Sequence, residues 1–472
     1  MRDVLAVDLD GTLLRSDMLL ESGWSAIGSS ASAPFRAVRA SMEGKASLKR
    51  YLAEVAKIDV TSLPYDPDVI AYITKWRKEG GKTALVTATD QRLAQAIADH
   101  LGLFDEVHGS DGTHNLKGEK KAEFLSERFG RGQFSYMGDA AADLAVWHRS
   151  KRAITVNAPS RLRKATEQAA PEVEHLTTRR ASIAPILQAL RCHQWLKNTL
   201  VFLPMLAAHQ LDSVTLIWSL LAFLSFCCIA SSGYIVNDLL DLAADRAHPR
   251  KRNRPFAAGQ IPIGQGTWMA AGALFLGIAT AWVAGPASLL VMCSYFVLTI
   301  LYSLLLKRQM VLDVFMLAGL YTTRIIAGGV ATAIVLSPWL LAFSMFFFLS
   351  LAAVKRQAEL VDNAAQGKLR ATGRGYHVDD LAVVVMIAVS AGFVAMLVLA
   401  LYINSPSVVA LYAQPKALWG VCAVLLYWIT RTVMVAHRGE MHDDPLVYAT
   451  KDRVSQVCLV IIIALILLGA LL

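Results

Sequence analysis

Up to about residue 180 the apolar positions come in short runs separated by polar, helix-like segments. "VLAVDL", "TALVTA" and "FSYMGD" are compact apolar runs that each end at polar residues, the pattern of strands buried in a parallel sheet. Between them, "QRLAQAIADHLG" and "KKAEFLSERFG" have amphipathic helical spacing and stop at glycine. Strands alternating with helices predict an α/β, Rossmann-like domain. Residues 15–80 read as helical and predict a small cap inserted after the first strand. "HLTTRRASIAPI" is a polar linker, so the first domain is expected to cover 1–180 and a second one 181–472.

Beyond Arg191 the period changes to long apolar stretches near the ~20-residue spanning length. They centre on 196–210, 214–236, 267–285, 287–305, 311–332, 336–354, 380–403, 416–436 and 454–472. This predicts an all-α polytopic bundle of about nine membrane helices. The connections alternate in chemistry. "RCHQWLKN", "ADRAHPRKRNRP", "LLKRQ", "VKRQAELVDNAAQGKLRATGRGYH" and "RTVMVAHRGEMHDDPLVYATKDR" are basic, whereas "HQLD", "AGPA", "VLSP" and "NSPSVVALYAQPK" are nearly uncharged. Basic loops face the cytoplasm in membrane proteins, so the N-terminal domain is expected on the cytoplasmic side of an inner membrane and the C-terminus outside.

Composition agrees with that reading: 55% of the 472 residues are hydrophobic and 18% charged. The net charge of +9 suits a membrane with anionic lipids or substrates and does not call for nucleic acid. Six cysteines lie mostly inside apolar runs without metal-ligand spacing and read as small core residues. Met1 is followed at once by charged and structured sequence, so no cleavable leader is expected.

The densest charge stands at the mouth of a span, in "VNDLLDLAADRAHPRKRNRPFAAG". In a helix Asn237, Asp241 and Asp245 share one face, with Asp238 at its edge. Acids beside a span must face a wet cavity, because a charge at the bilayer centre costs roughly 2.5–3.5 kcal/mol on insertion scales. Clustered carboxylates repel unless a cation sits between them, and hard oxygen ligands suit magnesium shared with substrate phosphates. Lys251 and Arg254 would hold the phosphates themselves.

These residues resemble the first signature of the UbiA-type membrane prenyltransferases, NDxxDxxxD followed by RP. The resemblance implies nine helices around a cavity open to the cytoplasm. His248-Pro249, with Lys251 and Arg254, is similar to the branch that transfers phosphoribose from phosphoribosyl diphosphate to a polyprenyl phosphate. "RCHQWLKNTLVF", "YSLLLKRQMVLDV", "TTRIIAGG" and "KRQAEL" fit that branch too. The implied site has magnesium on Asp238, Asp241 and Asp245. Asn237, Lys197, Asn198, Tyr302, Lys307, Arg324, Lys355, Arg356 and Glu359 join it for the two substrates, and Asp313 completes the polar cavity. Quinone-type members carry a second aspartate-rich motif; here the 336–380 region is more basic than acidic, with Lys368, Arg370, Arg374 and Tyr376. An aromatic prenyltransferase, which would require that second acidic motif, is the alternative reading, and a transporter or lipid flippase a more distant one. A homo-oligomer is compatible with either.

In the first domain "VDLDGTLL" puts Asp8 and Asp10 two residues apart at a strand end, pointing the same way. It resembles motif one of the haloacid-dehalogenase-type phosphatases, DxDGT. The resemblance implies Asp8 as nucleophile, Asp10 as general acid and base, Thr87 and Lys121 as phosphate holders with Lys117 as a fallback, and Asp139 and Asp143 joining Asp8 around magnesium. A phosphatase beside the transferase would remove the 5-phosphate from its product.

The loop chemistry predicts a topology. Reporter fusions after Ile334 and Ser405 should read as periplasmic and one after Lys368 as cytoplasmic; the opposite pattern overturns the nine-span arrangement.

Overall fold

A computed structural model of the chain describes residues 3–471 apart from 30–32, 43, 57, 112–114, 180–181, 370–373 and 442–443. By packing the chain divides into two units: Met1–Leu190 with Tyr234–Ala270, and Arg191–Gly233 with Ala271–Leu472. The sequence boundary near 180 follows composition, whereas the packing draws a later segment, Tyr234–Ala270, into the N-terminal unit.

The N-terminal unit is built on six parallel strands, β1 (Val4–Val7), β2 (Lys82–Asp90), β3 (Glu106–Ser110), β4 (Phe134–Gly138), β5 (Arg152–Val156) and β6 (Glu172–Leu176). Their order is β3-β2-β1-β4-β5-β6. Successive side chains alternate faces, and the two faces bury separate cores. Leu5, Val7, Leu85, Met137 and Ile154 enter one core with Ile73 and Ile97. Ala6, Ala84, Val86, Tyr136 and Ala153 enter the other with Leu125 and Trp147. This two-sided burial explains why the strands read as continuous apolar runs. Helix Gln91–Leu101 ends at Gly102 in the left-handed region, and helix Glu119–Phe129 ends at Gly130, as their sequences predict. The expected cap consists of helices Met18–Ser29, Ala33–Met42 and Lys45–Val55, while Pro67–Lys78 packs Val69 and Ile73 into the first core.

Helix Met18–Ser29 packs on Tyr234–Ala270. Leu20 and Trp24 meet the buried Ile235, Leu239, Leu242, Phe256, Ile261 and Ile263. A polar clasp lies alongside: Glu21, 5% exposed, accepts from Arg246 Nη2 at 2.5 Å, from Arg246 Nη1 at 3.1 Å and from Ser16 Oγ at 2.7 Å. Arg246 Nε donates to the Ala257 carbonyl at 3.1 Å. Gly259 has φ +63°, and a Cβ there would stand 2.7 Å from Arg15 Cβ and 3.0 Å from Pro64 Cβ. Glycine therefore permits this backbone approach.

The second unit is helical. Among the described residues, eight helices of the whole chain are long and apolar enough to cross a membrane: Ser213–Leu240, Ile263–Val283, Pro286–Leu304, Leu312–Thr332, Pro338–Ala365, Val378–Ile403, Pro415–His437 and Arg453–Ala470. The protein is a multi-pass membrane protein. The ninth expected stretch, 196–210, corrects the sequence reading. It is a 3₁₀ helix, Cys192–Phe202, followed by a short α-helix, Leu203–Ala207. With three residues per turn, Asn198, Val201 and Pro204 share a face, and all three are buried. That face meets helix Leu312–Thr332, where a Cβ on Gly328 would stand only 1.9 Å from the Val201 carbonyl oxygen. Glycine at 328 permits this close approach of the two backbones.

Removing one partner of a buried ion pair costs about 3–5 kcal/mol, while replacing both with apolar groups is near neutral. Arg246→Ala should therefore accelerate amide exchange across Met18–Ser29 in the purified chain, and Glu21→Leu with Arg246→Met should restore most of the protection. Equal exchange in wild type and Arg246→Ala would show that the clasp does not hold this helix.

Candidate functional site

The carboxyl ends of β1, β2 and β4 open into a cavity of about 790 Å³ lined by Asp8, Asp10, Thr89, Lys121, Asp139 and Asp143. Oxygens of Asp8, Asp139 and Asp143 lie within 4.8 Å of one another, close enough to share a metal ion. Lys121 Nζ donates to Asp8 Oδ1 at 2.9 Å and to Tyr136 Oη at 2.9 Å; Tyr136 Oη in turn donates to Asp143 Oδ1 at 2.9 Å. Asp143 Oδ2 also accepts the amides of Asp139 and Ala140. Gly11, at φ +75°, is required here, because a Cβ would stand 2.1 Å from Asp139 Oδ2.

Crowded, buried carboxylates resist ionisation. Burial, then Asp8 and Asp143, push the Asp139 carboxyl up to about 8. Asp143 is raised by burial and by Asp8. Lys121 stays charged: burial opposes its charge, but Asp8 and Asp143 outweigh it and lift its pKa. One ammonium serves three acids, and this surplus of negative charge fits a divalent cation with oxygen ligands. Asp10 is pushed up to about 7 by burial, Asp17 and Asp8. Its Oδ1 accepts the Met18 amide at 2.7 Å and its Oδ2 accepts Thr89 Oγ1 at 2.9 Å.

The acidic–basic segment takes another form. Helix Ser213–Leu240 is interrupted at Asp241 and resumes over Leu242–Ala247. Four-residue hydrogen bonds continue across the break, from Asp241 N to Asn237 O and from Asp245 N to Asp241 O. Asp238 and Asp245 are 3% and 2% exposed. Arg254 Nη1 donates to both, at 3.0 Å to Asp238 Oδ1 and 2.7 Å to Asp245 Oδ2. The shared guanidinium closes the loop that carries the basic run, with Lys251 exposed in a 3₁₀ turn. Asp238, Asp241 and Asp245 do not gather into a three-ligand metal set among the described residues. Arg254 joins the outer two.

In the second unit, acids are wrapped by cations. Asp444 Oδ2 accepts from Lys197 at 2.8 Å and Lys355 at 3.1 Å, and Tyr321 Oη donates to the same carboxylate. Burial alone would raise the Asp444 pKa, but the two ammonium groups hold it well below the carboxylate range. Asp313 is bound by Arg356 at 2.5 Å, Arg374 at 2.9 Å and the Tyr302 hydroxyl at 2.8 Å. Arg356 also pairs with Glu359. Arg324 Nε donates to Asn198 Oδ1 at 2.9 Å, its guanidinium 5.1–5.4 Å from the ring centres of Phe226, Tyr321 and Tyr295. Cations over ring faces are stabilised further.

The structure thus brings Asp8, Asp10, Lys121, Asp139 and Asp143 together. It also joins Lys197 to Lys355 through Asp444, and Tyr302 to Arg356 through Asp313. Thr87 is fully buried, its Oγ1 accepting the Thr89 amide. Two residues on, it is Thr89 that lines the cavity and touches Asp10. Lys117 lines the same cavity. Lys307 lies in the turn Leu306–Arg308, and Arg370 falls outside the described residues. Asp444 and Tyr136 are further site residues that sequence patterns did not single out. The only signal for Asp444 is its place before Pro445, where it caps helix Pro445–Lys451.

Comparison with known proteins agrees with this division. Residues 198–471 match the UbiA prenyltransferase family, and residues 5–148 match haloacid dehalogenase-like hydrolase. The chain is 37% identical over 454 residues to uncharacterized protein y4nM of Sinorhizobium fredii, covering 96% of this chain and 88% of that one. It is 40% identical over 272 residues to nodulation protein NoeC of Azorhizobium caulinodans, covering 58% and 89%. A third relative, decaprenyl-phosphate phosphoribosyltransferase of Mycobacterium tuberculosis, is 41% identical over 187 residues, covering 38% of this chain and 61% of that one. The chain belongs to the UbiA prenyltransferase family, as a membrane enzyme with a haloacid dehalogenase-like hydrolase domain at its N-terminus.

Proposed function

We propose that the chain performs two reactions in sequence: transfer of 5-phosphoribose from phosphoribosyl diphosphate to a polyprenyl phosphate, then hydrolysis of the 5-phosphate to leave polyprenyl-phosphoryl ribose. The observation that carries the pairing lies in the Asp8 cavity. Part of its wall is Pro262, Ile263 and Gly264, eight to ten residues beyond Arg254. The acidic–basic segment and the phosphatase cavity thus belong to one packed unit. The similarity to decaprenyl-phosphate phosphoribosyltransferases supports the choice of substrates.

In the first reaction an oxygen of the lipid phosphate attacks C1 of the ribose, the C1–O bond breaks, and diphosphate leaves with the bonding pair. Both reactants are anions. Lys197, Lys355, Arg356, Arg374 and Arg324 outnumber Asp313, Asp444 and Glu359 in the second unit, which suits anionic rather than neutral substrates. Arg254 offers a guanidinium for a leaving diphosphate at the acidic run.

In the second reaction the Asp8 carboxylate attacks phosphorus and the ribose O5 leaves. Asp10, with its pKa near neutrality, gives that oxygen a proton and then takes one from the water that cleaves the aspartyl phosphate. Lys121 steadies Asp8 and the transferring charge. A magnesium ion held by Asp8, Asp139 and Asp143 would neutralise the phosphate oxygens.

Two variants separate the steps. Asp238→Asn or Asp241→Asn should abolish lipid glycosylation while leaving hydrolysis of a small phosphate ester intact; transfer at the wild-type rate would remove these acids from the reaction. Asp8→Asn should form the lipid product at an undiminished rate but stop one phosphate heavier by mass spectrometry. If wild type and Asp8→Asn accumulate the same phosphorylated lipid, the sequential scheme fails.

A further inference from the structure

The linker after β6 does more than join two halves. Asn157 Oδ1 accepts the backbone amides of Thr178 at 2.9 Å and Arg179 at 3.1 Å, fixing the chain at this point. Thr178 Oγ1 donates to Asp66 at 2.6 Å, and Asp66 also binds Arg15 Nε at 3.0 Å. Arg15 is therefore neutralised. Its neighbour Arg179 lines the Asp8 cavity, yet its Nε and Nη2 are buried with no hydrogen-bond partner among the described residues.

Buried guanidinium donors left unpaired are costly, and native proteins hold few of them. Among the other cations at this cavity, Lys121 has Asp8 as a partner, and Lys49 donates to the Ala88 carbonyl and to Asn115 Oδ1. Burial and the adjacent Arg15 both weigh against the charge on Arg179. A held backbone, a satisfied neighbour and an unsatisfied, planar, multi-donor head on a residue that lines the cavity together describe a docking point for an oxyanion. Guanidinium geometry matches a phosphate with two parallel hydrogen bonds.

We propose that Arg179 binds a second anionic group, a phosphate monoester or diester, on the phosphomonoester that Asp8 attacks. The proposal rests on the phosphatase reading of this cavity and narrows its substrates to compounds with two phosphates, one cleaved and one held. A sugar with a phosphate at each end, either free or with one phosphate esterified to a lipid, has that chemistry.

The test is equilibrium binding to full-length Asp8→Asn protein with magnesium, which needs no turnover. The probes are ribose 5-phosphate, ribose 1,5-bisphosphate and a short-chain prenyl-phosphoryl ribose 5-phosphate. The two-phosphate probes should bind at least about tenfold tighter than ribose 5-phosphate, the gain expected of a charge-assisted contact. Adding Arg179→Gln should erase that advantage and leave ribose 5-phosphate affinity unchanged, which also reports intact folding; Arg179→Lys should keep part of it. Tighter binding of the prenyl probe assigns the site to a lipid-linked substrate, and tighter binding of the bisphosphate to a soluble one. An advantage that survives Arg179→Gln, or a loss shared equally by all three probes, overturns the proposal. The phosphatase reading fails separately, if wild-type protein releases no phosphate from any probe, and the binding comparison still decides the role of Arg179.

Discussion

Charge removed from water has to be matched inside the protein, and this requirement organises both units. Desolvating one ion costs several kcal/mol even after relaxation, so buried ions survive as pairs or small networks. Lys121 is 3% exposed and stands against Asp8 and Asp143 through Tyr136. Arg254 bridges Asp238 and Asp245. Asp444 is held between Lys197 and Lys355, and Asp313 between Arg356 and Arg374. These clusters share a design in which a bridging group touches two partners of opposite sign. Removing the bridging member leaves its partners uncompensated.

The balance differs from cluster to cluster, and the difference tracks chemistry. Around Asp8 the acids are in excess, which suits a cation and, through it, a phosphate. Around Asp313 and Asp444 the cations are in excess, which suits an anion directly. At Arg254 in the acidic–basic segment one guanidinium is shared by two carboxylates. A reactive site can tolerate such imbalance because the surrounding packing supplies the stability. In the N-terminal unit that packing is the pair of cores on the two faces of the sheet.

Much of this was legible in the sequence. Strand runs, amphipathic helices ending at glycine and the DxDGT stretch are local patterns, and local patterns follow from backbone period and turn chemistry. The placement of Asp8, Asp10, Lys121, Asp139 and Asp143 in one cavity follows from strands ending on the same edge. The departures have non-local causes. The 3₁₀ helix Cys192–Phe202 packs against a glycine more than a hundred residues away, at Gly328. Glu21 and Arg246 are separated by 225 residues, and no periodicity announces their meeting. Thr87 and Thr89 lie two apart on one strand and share a face, and only the extent of the strand tells that Thr89 reaches the opening.

Helix Met18–Ser29 covers Ile235, Leu239, Leu242 and Ile263 with its own Leu20 and Trp24. Those apolar side chains belong to the segment that carries the acidic signature, so the hydrolase domain acts as the lid of a shared core rather than as a bead on a string. A shortened gene that kept only the membrane-spanning portion would leave this face bare to water, inviting aggregation or a substitute partner. Solvent exclusion thereby ties helix Met18–Ser29 to that segment in this chain, independently of any benefit from coupling the two reactions.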